Sequence, residues 1–474
     1  MPKLSKLVSA TQTHDTYTHN GAVTNSTSQS HLVDLFFIAW TLIGKKPEDY
    51  MQKRHGAYLE DKKLAMKLLF RMRDIRWGAG VRDAFNYIYN QLPDEDKVKY
   101  RTIIPVYGRR KDVFELAEQD YSCFSSLIRN YLLGGPNNSD FGLFCKRFPR
   151  KGKVFESARK DLWISPKELR KLIVKGSDTV EQKMSSRQRE EILYEHVPSK
   201  ALAKYQKAFE RHDEYRFNKF INQKPELVKS TTLFPADIYK ERQQEKNYKV
   251  IEAQRNNLPD YIQSDKTFLP MIDVSGSMEW SYSSRETGIT PIMNSVSLWL
   301  YLAQRNKSVF KDAFLSFSSD PKMHYIPWAT VCDKFAYIHN DPTMWYSTNI
   351  EWAFDLVLDS ALLHHLTQKD MPDYILILSD MEFDCPDVGW RNTNFDVIKQ
   401  KYARAWYEMP NLIFRNLNWR IENVPVTIND NWVALVSGYS PAIMKSVLSC
   451  KTVTPYEVML ETLNSERYRL VDCQ

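Results

Sequence analysis

Asp273, Ser275 and Ser277 stand within five residues in the stretch Met271-Ile272-Asp273-Val274-Ser275-Gly276-Ser277-Met278. One carboxylate and two hydroxyls make a hard-oxygen set. Mg2+ (or Mn2+) takes such donors, and Mg2+ fills the rest of its octahedron with waters or a ligand oxygen. The residues just before, Thr267-Phe268-Leu269-Pro270, lead into an apolar run that reads as a short strand. A strand stopping on such a turn delivers its carboxylate to the carboxyl edge of a sheet, where open α/β sheets bind ligands. Two later stretches complete the set. Thr348 precedes a helical pattern beginning at Ile350, and Asp380 ends the apolar run Tyr374-Ile375-Leu376-Ile377-Leu378-Ser379. Ser and Asp also serve as ordinary turn and helix-cap residues with no ion present.

Asp-x-Ser-x-Ser, then a loop threonine, then a strand-terminal aspartate, resembles the metal-ion-dependent adhesion site of von Willebrand factor A-type domains. The resemblance implies five positions around the ion, Asp273, Ser275, Ser277, Thr348 and Asp380. The last would act through water. A site with so few anionic oxygens leaves the cation net positive, with an open position for an Asp or Glu of a protein partner.

Catalytic readings of the same residues are weaker. An aspartyl nucleophile of a phosphatase needs a second acid two residues on, and Ser275 stands there. Val274-Ser275-Gly276-Ser277-Met278 lacks the first glycine of a serine-hydrolase elbow. Neither a Walker A motif nor Gly-x-Gly-x-x-Gly is present. Asp380, Glu382 and Asp384 alternate along the chain; two-metal nuclease chemistry needs carboxylates that cluster, and an acidic loop explains the alternation equally well.

The elements that must hold these residues alternate in type. After the Asp273 loop, helix Ile292 to Ala303, strand Phe314 to Phe317, helix Ile350 to Leu366, strand Tyr374 to Leu378, helix Phe395 to Tyr407, strands Leu412 to Phe414 and Trp432 to Val436, and helix Pro441 to Leu448 predict a doubly wound, mostly parallel, Rossmann-like sheet.

The first half of the chain differs in both pattern and charge. Residues 1–250 hold 46 Lys+Arg against 31 Asp+Glu, whereas 251–474 hold 19 against 27. Such asymmetry argues for two units with different partners. Residues 1–29 are polar and read as a flexible arm. From Ser30 onward the apolar residues Leu32, Leu35, Phe36, Ala39 and Ile43 share one helical face, and further helices follow between Gly/Pro turns up to about residue 260. Irregular helix pairs of HEAT-like type are expected. Lys146-Arg147-Phe148-Pro149-Arg150-Lys151-Gly152-Lys153 packs five cations into eight residues, and nucleic-acid contact is weighed there against a solvated surface. The charged, Gln/Asn-rich stretch from Lys240 to Asp265 reads as a linker.

Several motifs of this half carry a second resemblance. Thr18-His19-Asn20-Gly21-Ala22, Arg73-Asp74-Ile75-Arg76-Trp77-Gly78-Ala79-Gly80, Pro105-Val106-Tyr107-Gly108-Arg109, Lys146-Arg147-Phe148-Pro149-Arg150 and Val197-Pro198-Ser199-Lys200-Ala201 look like successive signatures of one family. Its members, from plants, fungi and giant DNA viruses, join a helical region to a C-terminal von Willebrand A-type domain. That helical region is in turn similar to the TROVE module of the Ro autoantigen, a ring of helical repeats that binds small RNAs.

The remaining composition sets the class. Hydrophobic content of 43% suits globular cores, no apolar run approaches the roughly 18 residues of a membrane span, and no secretory h-region is visible. Six scattered cysteines without a Cys-x-x-Cys pair suggest reduced thiols. A cytoplasmic protein is expected, in the host cytoplasm if the source is viral. The reading is a polar arm (1–29), a TROVE-like helical-repeat domain (30–260) and a von Willebrand A-type α/β domain (265–474). It makes the chain a non-catalytic RNA-binding scaffold with Mg2+-dependent recognition of an acidic group. Lys146, Arg147, Arg150, Lys151 and Lys153 are the RNA candidates. A protein–protein adaptor and a metal-dependent nuclease or phosphatase are the alternatives.

Overall fold

The computed structural model describes residues 15–134, 141–177, 179–243, 247–262, 265–279, 288–316, 321–327, 333–334, 337–338, 349–384, 394–417, 424–428, 430–438, 440–449 and 453–474. Two compact units divide the chain, and they do not follow its linear order. One comprises residues 1–68, 234–242 and 260–464; the other comprises 69–233, 243–259 and 465–474.

The first unit is built on a six-stranded sheet. β1 (Thr16–Tyr17) and β2 (Val23–Thr24) form a small hairpin, and the main sheet contains β3 (Phe268–Ile272), β4 (Ala313–Ser316), β5 (Lys322–Tyr325), β6 (Tyr374–Ser379), β7 (Asn411–Asn416) and β8 (Val433–Ser437). Its order is β5-β4-β3-β6-β7-β8. All neighbours run parallel except β4 and β5. β3, β6 and β8 are buried along their whole length, as strands of a covered parallel sheet are. The edge strand β5 is mixed instead, with Met323 and Tyr325 exposed, Lys322 half-buried and His324 buried. Its four mixed residues give no apolar run, which is why the sequence pattern passes over it.

Residues 15–29 are not a loose arm. Asn25 and Val424 exchange backbone hydrogen bonds of 3.1 and 2.9 Å, and Thr18, Thr24, Asn25 and Ser28 are buried. Polar composition misleads here because these side chains are paired across hundreds of residues of sequence. Ser30 then caps helix His31–Ile38, which buries every residue but the first and receives the Ser437 hydroxyl of β8 on the Phe36 carbonyl. This segment therefore belongs to the same unit as the sheet.

The second unit is helical, and no strand occurs among its described residues. Among the described residues its α-helices range from the four residues of Ile104–Tyr107 to the 25 of Ser199–Gln223, the latter broken at Asp213, where φ is −152°. Aromatic packing fills the spaces between them: Phe114 meets Phe144 and Phe148, and Tyr194 meets Phe209, Phe217 and Phe220. The described part of the expected linker includes a helix. Helix Tyr248–Asn256, capped by Asn247, sends Val250 and Ala253 into the cluster around Phe209 and Phe217. Among the described residues no helix is long and apolar enough to cross a membrane. Cys123 and Cys145 are buried free thiols, whereas Cys473 is exposed.

The motif around Arg73-Asp74 is an internal brace of this unit. The Arg467 guanidinium donates Nε–H and Nη2–H to the two oxygens of the fully buried Asp74 at 2.8 and 2.7 Å, and the Tyr468 hydroxyl adds a bond of 3.2 Å. Arg73 meets the buried Asp112 at 2.7 Å. Gly108 is obligatory beside it, because a Cβ there would fall 2.2 Å from the Asp112 carboxylate. Removing one member of a buried pair strands the other charge. Arg467→Ala is accordingly expected to cost about 3–5 kcal/mol in urea unfolding, and a loss below about 1 kcal/mol would contradict the brace.

Candidate metal centre

The sheet order reverses between β3 and β6, because the chain leaves β3 for β4 on one side and returns to β6 on the other. At such a switch point the loops diverge and open a crevice at the carboxyl ends of the strands. Ile272 is level with Leu378, and the Asp273 N–H donates to the Leu378 carbonyl at 2.9 Å. Asp273 and Asp380 thus leave adjacent strands at the same edge, and both are fully buried.

The surrounding donors point inward. Asp273 Oδ1 accepts the Ser275 N–H at 3.0 Å, and Asp273 Oδ2 accepts the Ser379 hydroxyl at 2.5 Å. Ser275 Oγ and Ser277 Oγ lie 3.0 Å apart. Adjacent oxygens of an octahedral ion with bonds of about 2.1 Å are separated by about 3.0 Å, so this hydroxyl pair already has the spacing of one octahedral edge. Ser275 is buried and Ser277 exposed, which leaves the set reachable from one side.

Two buried carboxylates at one sheet edge carry an electrostatic penalty. Burial first, then the neighbouring Asp380 carboxylate, push Asp273 up to about 7, against the opposing hydrogen bonds from Ser275 and Ser379. A divalent cation is the species that would relieve such a pair, and two carboxylates with hydroxyls fit a hard, oxygen-seeking ion. The set is small in anions, and among the described residues no three His, Cys, Asp or Glu side chains gather as a metal group. Thr348 lies outside the described residues. Its neighbour Asn349 is described and caps helix Ile350–Leu363 by accepting the Trp352 N–H at 3.1 Å.

Sequence reasoning missed what holds Asp380. Met381, directly after it, is buried with φ of +67°, a left-handed turn that costs a non-glycine residue about 1 kcal/mol. The N-terminal segment then grips the following loop. Thr18 Oγ1 donates to the Phe383 carbonyl at 2.8 Å, Asn20 Nδ2 to the Glu382 carbonyl at 2.9 Å, and the Glu382 carboxylate accepts the His19 N–H at 2.6 Å. Thr18-His19-Asn20 is thus a positioning motif, and Glu382 is committed to it. On the next strand, the buried Arg415 donates to the Gly438 and Ser440 carbonyls, both at 2.8 Å. A cavity of about 660 Å³ lies away from all of this, lined by Leu269, Phe310, Met371 and Pro372 toward the amino ends of the strands.

The basic candidates separate into two kinds. Lys146 is paired with Glu181, and Lys153 Nζ donates to the Glu118 and Gln119 carbonyls at 3.2 Å each, closing the end of helix Arg110–Gln119. Arg147, Arg150 and Lys151 are exposed.

Residues 268–469 match the family model of a domain of unknown function, DUF7788, and residues 152–266 match that of a second, DUF2828. The uncharacterized protein L728 of Acanthamoeba polyphaga mimivirus is 23% identical over 512 residues, covering 94% of this chain and 87% of that protein. Among solved structures, the Deinococcus radiodurans RO (RSR) protein is similar over 95% of both chains, at 14% identity and a TM-score of 0.40.

Thr18→Val and Asn20→Ala each remove one bond to the 382–383 loop. Each is expected to cost about 0.5–1.5 kcal/mol and to speed amide hydrogen exchange at residues 380–384. Unchanged exchange there would dissociate the N-terminal segment from the site.

Proposed function

We propose that the sheet-containing unit holds Mg2+ or Mn2+ at Asp273, Ser275, Ser277, Thr348 and Asp380, in the manner of a von Willebrand A-type adhesion site, and uses it to bind an acidic group of a protein partner. The observation that supports this most is the pair Asp273 and Asp380, fully buried side by side at the switch point with a hydroxyl pair beside them. When bound, the ion would supply a Lewis-acidic position for an oxygen ligand. The chain's own part is to hold the carboxylates out of water, aim the hydroxyls and fix Asp380 through Ser379, Met381 and the N-terminal clasp.

The helical unit is proposed to be a TROVE-like scaffold that contacts RNA. Support comes from the cation excess of residues 69–233, which hold 33 Lys+Arg against 22 Asp+Glu, and from the exposure of Arg147, Arg150 and Lys151. Lys146 and Lys153 are set aside as contacts, since both serve the unit's own packing. The reading is of a binding protein, with a purely protein-protein adaptor as the form it takes if RNA is not bound.

Mn2+ or Mg2+ at one hundred times its dissociation constant is expected to stabilise the protein by about 2.7 kcal/mol. Asp273→Asn should abolish that gain. Because it also removes the repulsion with Asp380, it should not lower the stability of the metal-free protein. A native protein whose melting is indifferent to both ions would overturn the proposal, and Mn2+-dependent phosphoester turnover lost with Asp273→Asn would overturn its non-catalytic character.

Binding of a labelled single-stranded RNA over a salt series should give a steep slope of log K against log salt. Reversing charge at Arg147, Arg150 and Lys151 should flatten that slope by about 2, at about 0.7 per lost phosphate contact. A flat slope for the native protein would remove the RNA contact.

A further inference from the structure

Among the described residues, three of the eight non-glycine residues with positive φ are tryptophans: Trp163, Trp406 and Trp432. Bulky side chains seldom occupy this conformation. Trp163 is the most informative, with φ of +54° and a side chain 94% exposed. It follows helix Lys153–Asp161, whose end is closed by two backbone bonds, Trp163 N–H to the Lys160 carbonyl at 3.1 Å and Ile164 N–H to the Arg159 carbonyl at 3.2 Å. These are the bonds of a Schellman ending, in which the left-handed residue is ordinarily glycine. An indole there raises the conformational cost and buries almost nothing in return. Folding alone would favour glycine at this position.

The backbone that carries the indole is fixed on both sides. Two residues later Ser165 caps helix Pro166–Gly176 through a reciprocal capping box with Glu168, so the turn has little freedom. The surroundings are cationic: residues 141–177 hold eleven Lys+Arg against three Asp+Glu. Besides Arg147, Arg150 and Lys151, the exposed cations include Lys160 and Lys167 on the two helices that flank the turn. A rigidly presented aromatic face among exposed cations is the arrangement that holds single-stranded nucleic acid, with bases stacking on rings and cations following the backbone.

We propose that Trp163 is a stacking platform for an unpaired nucleobase of single-stranded RNA, with the neighbouring lysines and arginines taking the adjacent phosphates. The inference rests on the RNA reading above and names the part of the RNA that is read. Trp406 supplies an internal control. It repeats the same ending after helix Asn394–Arg404, with Trp406 N–H on the Ala403 carbonyl at 3.2 Å, Tyr407 N–H on the Tyr402 carbonyl at 3.0 Å, φ of +66° and 96% exposure. Residues 394–411 around it hold three Lys+Arg against two Asp+Glu, so the cationic setting is missing.

The test compares Trp163→Gly, Trp163→Phe, Trp406→Gly and the Arg147→Glu/Arg150→Glu/Lys151→Glu variant, in the full chain, on a fluorescein-labelled twelve-nucleotide oligouridylate and on an RNA duplex of the same length. Trp163→Gly should melt at a higher temperature, bind the single strand roughly ten-fold or more weakly, and bind the duplex as the native protein does. Trp163→Phe should keep most of the single-strand affinity. Trp406→Gly should gain stability with no change in binding. If Trp163→Gly binds the single strand normally while the charge-reversed variant does not, the stacking role is overturned and the RNA reading stands. Should the native protein bind neither oligonucleotide, both fall. A lower melting temperature for Trp163→Gly would show the ring to be a packing element and would overturn the proposal.

Discussion

Two carboxylates that leave adjacent strands at the same edge, both shut off from water, repel one another. Asp273 and Asp380 are in that position, and much of the surrounding unit is arranged to keep them there. The parallel pairing of β3 and β6 sets them level. Ser379 and the Ser275 N–H occupy the two oxygens of Asp273, so that its carboxylate is oriented as well as buried. The left-handed Met381 and the clasp from Thr18, His19 and Asn20 give the loop after Asp380 one conformation. Strain and desolvation of this kind persist in a fold where the surroundings over-determine them, and they gather at binding sites.

The carboxylate pair was legible from sequence for a physical reason. A strand buried on both faces is a continuous apolar run, and an aspartate ending such a run marks the carboxyl edge of a sheet. Phe268–Ile272 and Tyr374–Ser379 both have that form. The same logic fails where stabilisation is polar and distant in sequence. Residues 15–29 look like a solvated tail because their burial is secured by hydrogen bonds to residues near 383 and 424, which no local periodicity reveals. The stretch from Lys240 to Asp265 looks like a linker because helix Tyr248–Asn256 shows only a few apolar residues, yet Val250 and Ala253 reach a core made by helices far earlier in the chain. The two compact units, each assembled from three separated pieces, follow from such contacts and not from composition.

Charged motifs divide along similar lines. Arg73-Asp74 and Lys146, Lys153 are conspicuous in sequence, and the structure spends them on internal bonds, to Asp112, Arg467, Glu181 and the carbonyls at the end of helix Arg110–Gln119. What remains outward is a narrower set of cations, joined by an indole held in a conformation that suits glycine. The proposed RNA surface is thus picked out by what a residue does not contribute to folding more than by its type. Arg147 and Trp163 stand out on that criterion, and Lys146 does not.

The most direct test of the central claim is crystallographic. Crystals of the native protein grown with Mn2+ should show one strong anomalous peak within coordination distance of Ser275 and Ser277, directly or through water of Asp273 and Asp380, and with Thr348 in the same shell. The corresponding Asp273→Asn crystals should lack it. Absence of a peak in the native crystals, or a peak elsewhere with the two aspartates still facing one another across a dry interior, would contradict the account.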